Sequence, residues 1–245
     1  MKPYYQHAGI TVYHADFLEV LPSLDPVDAI ITAPPYGETD LRWDVWPTGW
    51  PGLMVSLAPQ LWCFGSMRMF MARISEFEGW RQAQEIIWEK HNGSGSHSDR
   101  FRRVHEIAVH FYRGEWCSLY HVPPVTNDAH RRRIARVGKP GHWGGIGSHT
   151  FESEEGGPRL MRSVIPVRSC HGSALHPTQK PEGIIRPLVE YSVPRGGIIL
   201  DPFVGSGTTL VVAKETGRRA IGIEMNEAFC EIAAERLQQE VLIQA

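Results

Sequence analysis

Two kinds of hydrophobic pattern alternate along the chain. Short runs rich in β-branched and aromatic residues recur at 10–13, 27–32, 60–64, 84–88, 107–112, 198–200 and 220–223, and runs of that length and composition read as buried strands. Between several of them lie segments with helix-like patterning, at 53–57, 67–77, 181–191, 208–216 and 226–239. In the last, Asn226 stands where an N-cap belongs, and Phe229, Ile232, Ala233 and Leu237 form one apolar stripe. Strands and helices alternating in this way predict an α/β chain with a mostly parallel sheet. Residues 114–158 break the pattern with repeated Gly and Pro and weak periodicity. They are expected to form an insertion, with 1–113 and 159–245 as the main domain.

Length and composition narrow the class. With 245 residues, 42% hydrophobic and 21% charged, the chain suits one large core plus an inserted piece and excludes a disordered chain. No run approaches eighteen apolar residues and the first twenty lack a signal-peptide core, so a cytoplasmic protein with no membrane span is expected. Cys63, Cys117, Cys170 and Cys230 are far apart with no Cys-x-x-Cys pair, which points to neither a disulfide framework nor a structural zinc.

The net charge of −2 conceals a split. From Lys90 to His142 ten basic residues face four acidic ones, a local excess of six, so the rest of the chain is strongly acidic. The cluster includes Arg100, Arg102, Arg103, Arg131, Arg132, Arg133, Arg136 and Lys139, and eight of the twelve His lie between His91 and His149. These Arg- and His-rich segments lack helical patterning and read as loops suited to phosphate contacts and base-edge readout.

Two further segments carry chemistry. Asp201-Pro-Phe-Val-Gly-Ser-Gly-Thr-Thr209 follows one predicted strand and precedes a helix, the place where glycines let a ligand approach the backbone. No Lys follows its second Gly, so it is not a P-loop. Glu224 ends the next strand, where a carboxylate meets ribose hydroxyls in Rossmann-like folds. Near the N-terminus, the strand at 27–32 runs into Ala33-Pro34-Pro35-Tyr36. Two prolines form a rigid turn with outward carbonyls, and Tyr36 adds a flat ring beside them. An exocyclic amine on an aromatic base needs those two things: acceptors for N–H and a face to stack on.

With His176-Pro-Thr-Gln-Lys-Pro181, these segments resemble the amino-methylating DNA methyltransferases, which act on adenine N6 or cytosine N4. Ala33–Tyr36 is similar to the family's catalytic Asp/Asn/Ser-Pro-Pro-Tyr motif, 201–209 to its S-adenosylmethionine loop, and the hexapeptide to the one preceding that loop. Residues 88–90 and 100–106 also resemble the family's central strands. The catalytic motif comes first and the cofactor loop last, which is the circularly permuted order of the beta class. The resemblance implies a Rossmann-like methyltransferase fold in which the basic insertion serves as target-recognition region. It also implies S-adenosylmethionine as cofactor, flipping of a base from double-stranded DNA, and a homodimer matched to a palindromic site.

The same resemblance distributes roles. Glu224 would bind the ribose hydroxyls, and Phe203, Gly205, Ser206, Gly207 and Thr208 would pack on the cofactor. Asp201 would orient its methionine moiety, Thr178 and Lys180 would lie near its carboxylate, and Asp16 would contact its adenine. Tyr36 would stack on the target base while the Pro34 carbonyl accepts from its amine. The departure is Ala33, which has no side-chain acceptor where the family has one; loss of such a bond costs about two to three decades in rate. Asp40 and Asp44 follow closely and are the nearby candidates to replace it. The segment Pro-Pro-Tyr-Gly-Glu-Thr with Trp43-Asp-Val-Trp46 looks more like adenine-modifying, often solitary, members. Cytosine-N4 methylation is the alternative, as is a DNA-binding relative that lost turnover at Ala33.

Overall fold

The computed structural model describes residues 1–94, 98–136 and 149–238. The chain begins with β1 (Tyr5–His7), β2 (Ile10–His14), α1 (Phe17–Val20), β3 (Ala29–Thr32) and α2 (Trp50–Leu53). It continues through β4 (Gln60–Gly65), α3 (Met67–Arg73), β5 (Arg81–Ser94) and β6 (Arg103–Tyr112). Four short strands follow: β7 (Val125–Ala129), β8 (Arg132–Arg136), β9 (His149–Ser153) and β10 (Gly157–Leu160). The C-terminal part is β11 (Val164–Pro166), α4 (Glu182–Ser192), β12 (Ile198–Asp201), α5 (Thr208–Glu215), β13 (Arg219–Glu224) and α6 (Glu227–Gln238).

Nine strands make one sheet in the order β1-β2-β13-β12-β3-β4-β6-β5-β11. The run from β2 to β4 is parallel throughout, whereas β4, β6 and β5 pair antiparallel. Parallel strands must be covered on both faces. Accordingly β3 and β4 are wholly buried, and two apolar clusters, one containing Ile31, Ile199 and Val212 and the other Ile30, Leu61 and Leu200, lie within this unit. This is a Rossmann-like α/β fold in which the Pro-Pro-Tyr strand β3 precedes the Gly-loop strand β12 in sequence and pairs beside it in space.

Compactness divides the chain into 1–122 with 163–245, and 123–162. The expected insertion at 114–158 is therefore shifted. Residues 114–122 belong to the larger unit because Val122 N–H bonds the Tyr191 carbonyl and the Tyr120 carbonyl accepts from Gln60. The smaller unit holds two antiparallel strand pairs, β7 with β10 and β8 with β9. Here the loop reading of the Arg-rich run is corrected: Arg132 and Arg133 lie in β8, opposite Ser153 and Glu152. Alternation within a two-stranded ribbon is a weak sequence signal when both faces are solvated. The helix predicted at 53–57 lies earlier, at Trp50–Leu53, with a 3-10 segment at Met54–Ser56, and the one predicted at 67–77 is shorter, turning into a 3-10 segment at Ile74–Phe77. Among the described residues no helix is long and apolar enough to cross a membrane.

Candidate active site

At the end of β12 the chain turns sharply, and Asp201 is buried at the turn. Its Oδ1 accepts from the Thr32 hydroxyl at 2.7 Å and from Phe203 N–H at 3.1 Å. These bonds tie the Gly loop to the residue just before Ala33, so both motifs start from one cross-link. Burial pushes the Asp201 carboxyl up to about 6, against the Thr32 hydroxyl and Phe203 N–H that favour its charge. Gly207 has φ +79°, and a Cβ there would stand 2.9 Å from the Ala233 Cβ of α6; only glycine permits both the turn and the contact. Arg236 of α6 reaches back and donates to the Ser206 carbonyl at 2.6 Å and to the Thr208 hydroxyl at 3.1 Å.

Glu224, at the end of β13, accepts Gly205 N–H on one oxygen at 2.9 Å and Asn226 N–H on the other at 2.8 Å. Burial raises its pKa and these backbone donors partly offset the rise. The carboxylate is thereby fixed in place with lone pairs left for hydroxyl donors.

The Pro-Pro-Tyr turn is braced from behind. Asp44 is 8% exposed and accepts from the N–H groups of Gly37, Glu38 and Thr39 and from the Thr39 hydroxyl, all within 3.0 Å. Burial works to raise its pKa, yet these four donors hold the carboxyl below its usual value. Asp44 is thus committed to the loop, and Asp40 is exposed and does not line the cavity. Asp44 itself lines the cavity, and three of its four donors fall on Oδ2, leaving Oδ1 with Gly37 N–H alone among the described residues.

Tyr36 meets a buried ion cluster. Its hydroxyl donates to Glu106 Oε2 at 3.3 Å; the same oxygen lies 3.1 Å from Lys180 Nζ, and Lys90 binds the other. Burial acts against the Glu106 charge, but the two ammonium groups prevail and hold its carboxyl down at about 2. Lys180 Nζ lies 5.5 Å from the Tyr36 ring centroid. His176 packs between Trp43 and Phe229, with ring centroids 5.1 and 4.2 Å away. Burial, then Lys180, holds its imidazole down at about 4, so it is neutral at pH 7.

These elements enclose a cavity of about 700 Å³. Ala33, Pro34, Pro35 and Tyr36 form one wall, and Phe203, Gly205, Glu224 and Asn226 form another. Residues 42–45, His176, Thr178, Lys180 and Phe229 close the remainder. A recess of about 50 Å³, lined by Ala33, Thr178, Lys180, Asp201, Ser206 and Thr208, adjoins residues shared with the larger space. Sequence-predicted residues from four distant segments are thus brought together. Asp16 is not among the lining residues; it caps α1 by accepting Leu18 N–H at 2.9 Å, while its neighbour Phe17 faces the cavity. Arg100, Arg102 and Arg103 lie at the start of β6 and just before it and do not line the cavity, but Arg103 pairs with Glu38, beside the Pro-Pro-Tyr turn, at 3.6 Å. Arg131, Arg132 and Arg133 are exposed in the smaller unit, where Arg133 pairs with Glu152 at 2.9 Å. Lys139 and the side chain of Arg136 lie outside the described residues. Sequence reading missed Glu106, Lys90 and Arg236; the strand positions of 88–90 and 105–106 were visible, but their pairing was not.

The sequence profile of the DNA methylase family of N6/N4 methyltransferases matches residues 27–235. Type II methyltransferase M2.LlaDCHI of Lactococcus lactis subsp. cremoris is 28% identical over 280 residues, spanning 97% of this chain and 93% of that protein. Type II methyltransferase M2.DpnII of Streptococcus pneumoniae is 27% identical over 98% of this chain and 93% of its own length. Among solved structures, the complex of M1.HpyAVI with SAM aligns at TM-score 0.66 and 23% identity, covering 94% of this chain and all of the other. The cytosine-N4-specific PvuII DNA methyltransferase aligns at TM-score 0.64 and 16% identity, over 98% and 90%.

Proposed function

The chain belongs to the DNA methylase family of N6/N4 methyltransferases, and from that premise we propose that its cavity transfers a methyl group from S-adenosylmethionine to the N6 amine of an adenine flipped out of double-stranded DNA. The observation that carries this reading is that the Pro-Pro-Tyr turn and the Gly205–Glu224 segments, which follow neighbouring strands, line one cavity.

The residues present fit the cofactor. Glu224 offers two fixed carboxylate oxygens to ribose hydroxyls, Phe203 and Phe229 give apolar walls for a purine, and the recess beside Thr178 and Asp201 suits a short polar chain. When bound, S-adenosylmethionine supplies an electrophilic sulfonium methyl. The chain's own residues then do the positioning. Tyr36 stacks on the extruded base, and the Pro34 carbonyl accepts one amine hydrogen, which directs the nitrogen lone pair toward the methyl. Ala33 leaves the second hydrogen without a side-chain acceptor, so turnover is slow for the family.

Adenine is favoured by the likeness of Pro-Pro-Tyr-Gly-Glu-Thr and Trp43-Asp-Val-Trp46 to adenine-modifying members. Arg100, Arg102, Arg103, Arg131, Arg132, Arg133, Arg136 and Lys139 contact phosphates, a role supported by the local excess of positive charge. The unit at 123–162 reads the target, and a two-fold dimer matches a palindromic site. Unmethylated genomic DNA incubated with protein and S-adenosylmethionine, then digested to nucleosides for mass spectrometry, tests the reading. N6-methyladenine is expected. N4-methylcytosine would retain the mechanism and replace the base, and cofactor binding without product would identify a DNA-binding relative.

A further inference from the structure

Three chain segments that are remote in sequence deliver charged or polar side chains to one buried point under the Pro-Pro-Tyr wall. Tyr36 follows β3, Glu106 lies in β6, and Lys180 is the fifth residue of the hexapeptide before α4; Lys90 joins them from β5, the strand paired to β6. Glu106 has 12% of its side chain exposed and takes all three partners: Lys90 on Oε1, Lys180 and the Tyr36 hydroxyl on Oε2. Stability alone does not require this arrangement. One lysine neutralises one carboxylate, and a second buried ammonium adds a desolvation cost that the pair does not repay. The second lysine is the one that faces the cavity. Lys180 is 7% exposed, lies over the Tyr36 ring at 5.5 Å and over the Phe64 ring at 5.6 Å, and is further held by the Thr178 carbonyl at 3.3 Å. Lys180 is thus held both over the Tyr36 ring and on the carboxylate oxygen that accepts the Tyr36 hydroxyl.

We propose that Glu106 is a positioning residue for methyl transfer: through the Tyr36 hydroxyl and Lys180 it fixes the pitch of the ring on which the target base stacks, with Lys90 balancing its charge. This rests on reading the cavity as a methyl-transfer site. The ring must hold the amine within a few tenths of an ångström of the line of attack, and the Pro-Pro turn fixes only its backbone. A hydroxyl bond at the far end of the ring supplies the second fixed point. The network matters more here than it would with an acceptor at position 33, because one fewer contact orients the amine.

The test is a double-mutant cycle of Tyr36→Phe and Glu106→Gln, read as kcat and as KM for cofactor at saturating DNA. Each single variant is expected to lose about tenfold in kcat, with KM for cofactor unchanged in Tyr36→Phe, and the second substitution to cost at least about threefold less in the presence of the first. Independent, multiplying losses in kcat would overturn the proposal, as would a loss confined to KM. Glu106→Gln leaves two lysines unpaired and can fail to fold, so Lys90→Met/Glu106→Gln, which removes one surplus cation, serves as the second background for the same cycle. An arm that needs no turnover separates this claim from the function it rests on. In protein labelled with 13C at tyrosine Cζ, the signal lost in Tyr36→Phe is expected to move in the Glu106→Gln background. An unmoved signal overturns the positioning contact, whereas a moved signal in a protein that methylates no DNA supports the contact and overturns only the function.

Discussion

The carboxylate Glu224 at the end of β13 is held by backbone N–H groups, whereas the Tyr36 hydroxyl after β3 is held by a side chain drawn from another strand. Glu224 is held by two backbone N–H groups from its own and the adjoining loop, and Gly207 by a contact only glycine permits. Tyr36 is instead held by Glu106, itself held by lysines from two other segments. A backbone-held wall tolerates little drift because its geometry follows from the strand ends. Ala33 has no side-chain acceptor, yet the loop behind it is clamped by Asp44.

Breaking the backbone-held wall is expected to give the largest effect. On the proposed reading Glu224→Ala removes two charge-assisted bonds to a ribose, about 1.5–3 kcal/mol each, so the dissociation constant for S-adenosylmethionine is expected to rise about 100-fold or more by calorimetry. Substitution outside both walls gives the next. Ala at Arg131, Arg132, Arg133 and Arg136 together is expected to weaken duplex binding about tenfold at moderate salt and to flatten the log–log salt slope by up to about three. Cofactor affinity should not change; a parent-like slope would remove these residues from the interface.

Adding what the side-chain wall lacks sharpens the comparison in the other direction. Ala33→Asp is expected to raise the single-turnover rate about tenfold, and slower or unchanged transfer would refute the claim that the missing acceptor limits catalysis. The smallest effect concerns the cross-link between the walls. Asp201 ionises near 3.8 when unfolded and near 6 when folded, so the folded state keeps its proton longer and loses stability as pH rises through that window. Asn keeps the acceptor without the charge. Asp201→Asn should therefore melt a few degrees higher relative to the parent at pH 8 than at pH 4, and an equal offset at both would contradict a carboxyl raised by burial.

How far each wall was legible in the sequence follows from the same distinction. The Gly loop, Glu224 and Pro-Pro-Tyr are local patterns whose geometry is set by strand ends, glycine and proline, so their convergence on one sheet was readable. Lys180 was expected near the cofactor's methionine carboxylate and lines the recess, but its bond to Glu106 spans 74 positions, and nothing local encodes such a partner. Asp16 shows the converse limit: a carboxylate after a strand serves equally to cap the helix that follows. The Arg-rich run was read as loop because a solvated two-stranded ribbon leaves no one-sided apolar pattern, as β8 illustrates.

The division of labour between the walls is tested most directly by single-turnover transfer of labelled methyl to unmethylated duplex DNA, followed across a range of S-adenosylmethionine concentrations for the parent, Glu224→Ala and Tyr36→Ala. Raised cofactor should return Glu224→Ala toward the parent rate and leave Tyr36→Ala depressed at every concentration. Recovery of Tyr36→Ala at high cofactor, or no transfer by the parent protein, would contradict the assignment of one wall to the cofactor and the other to the base.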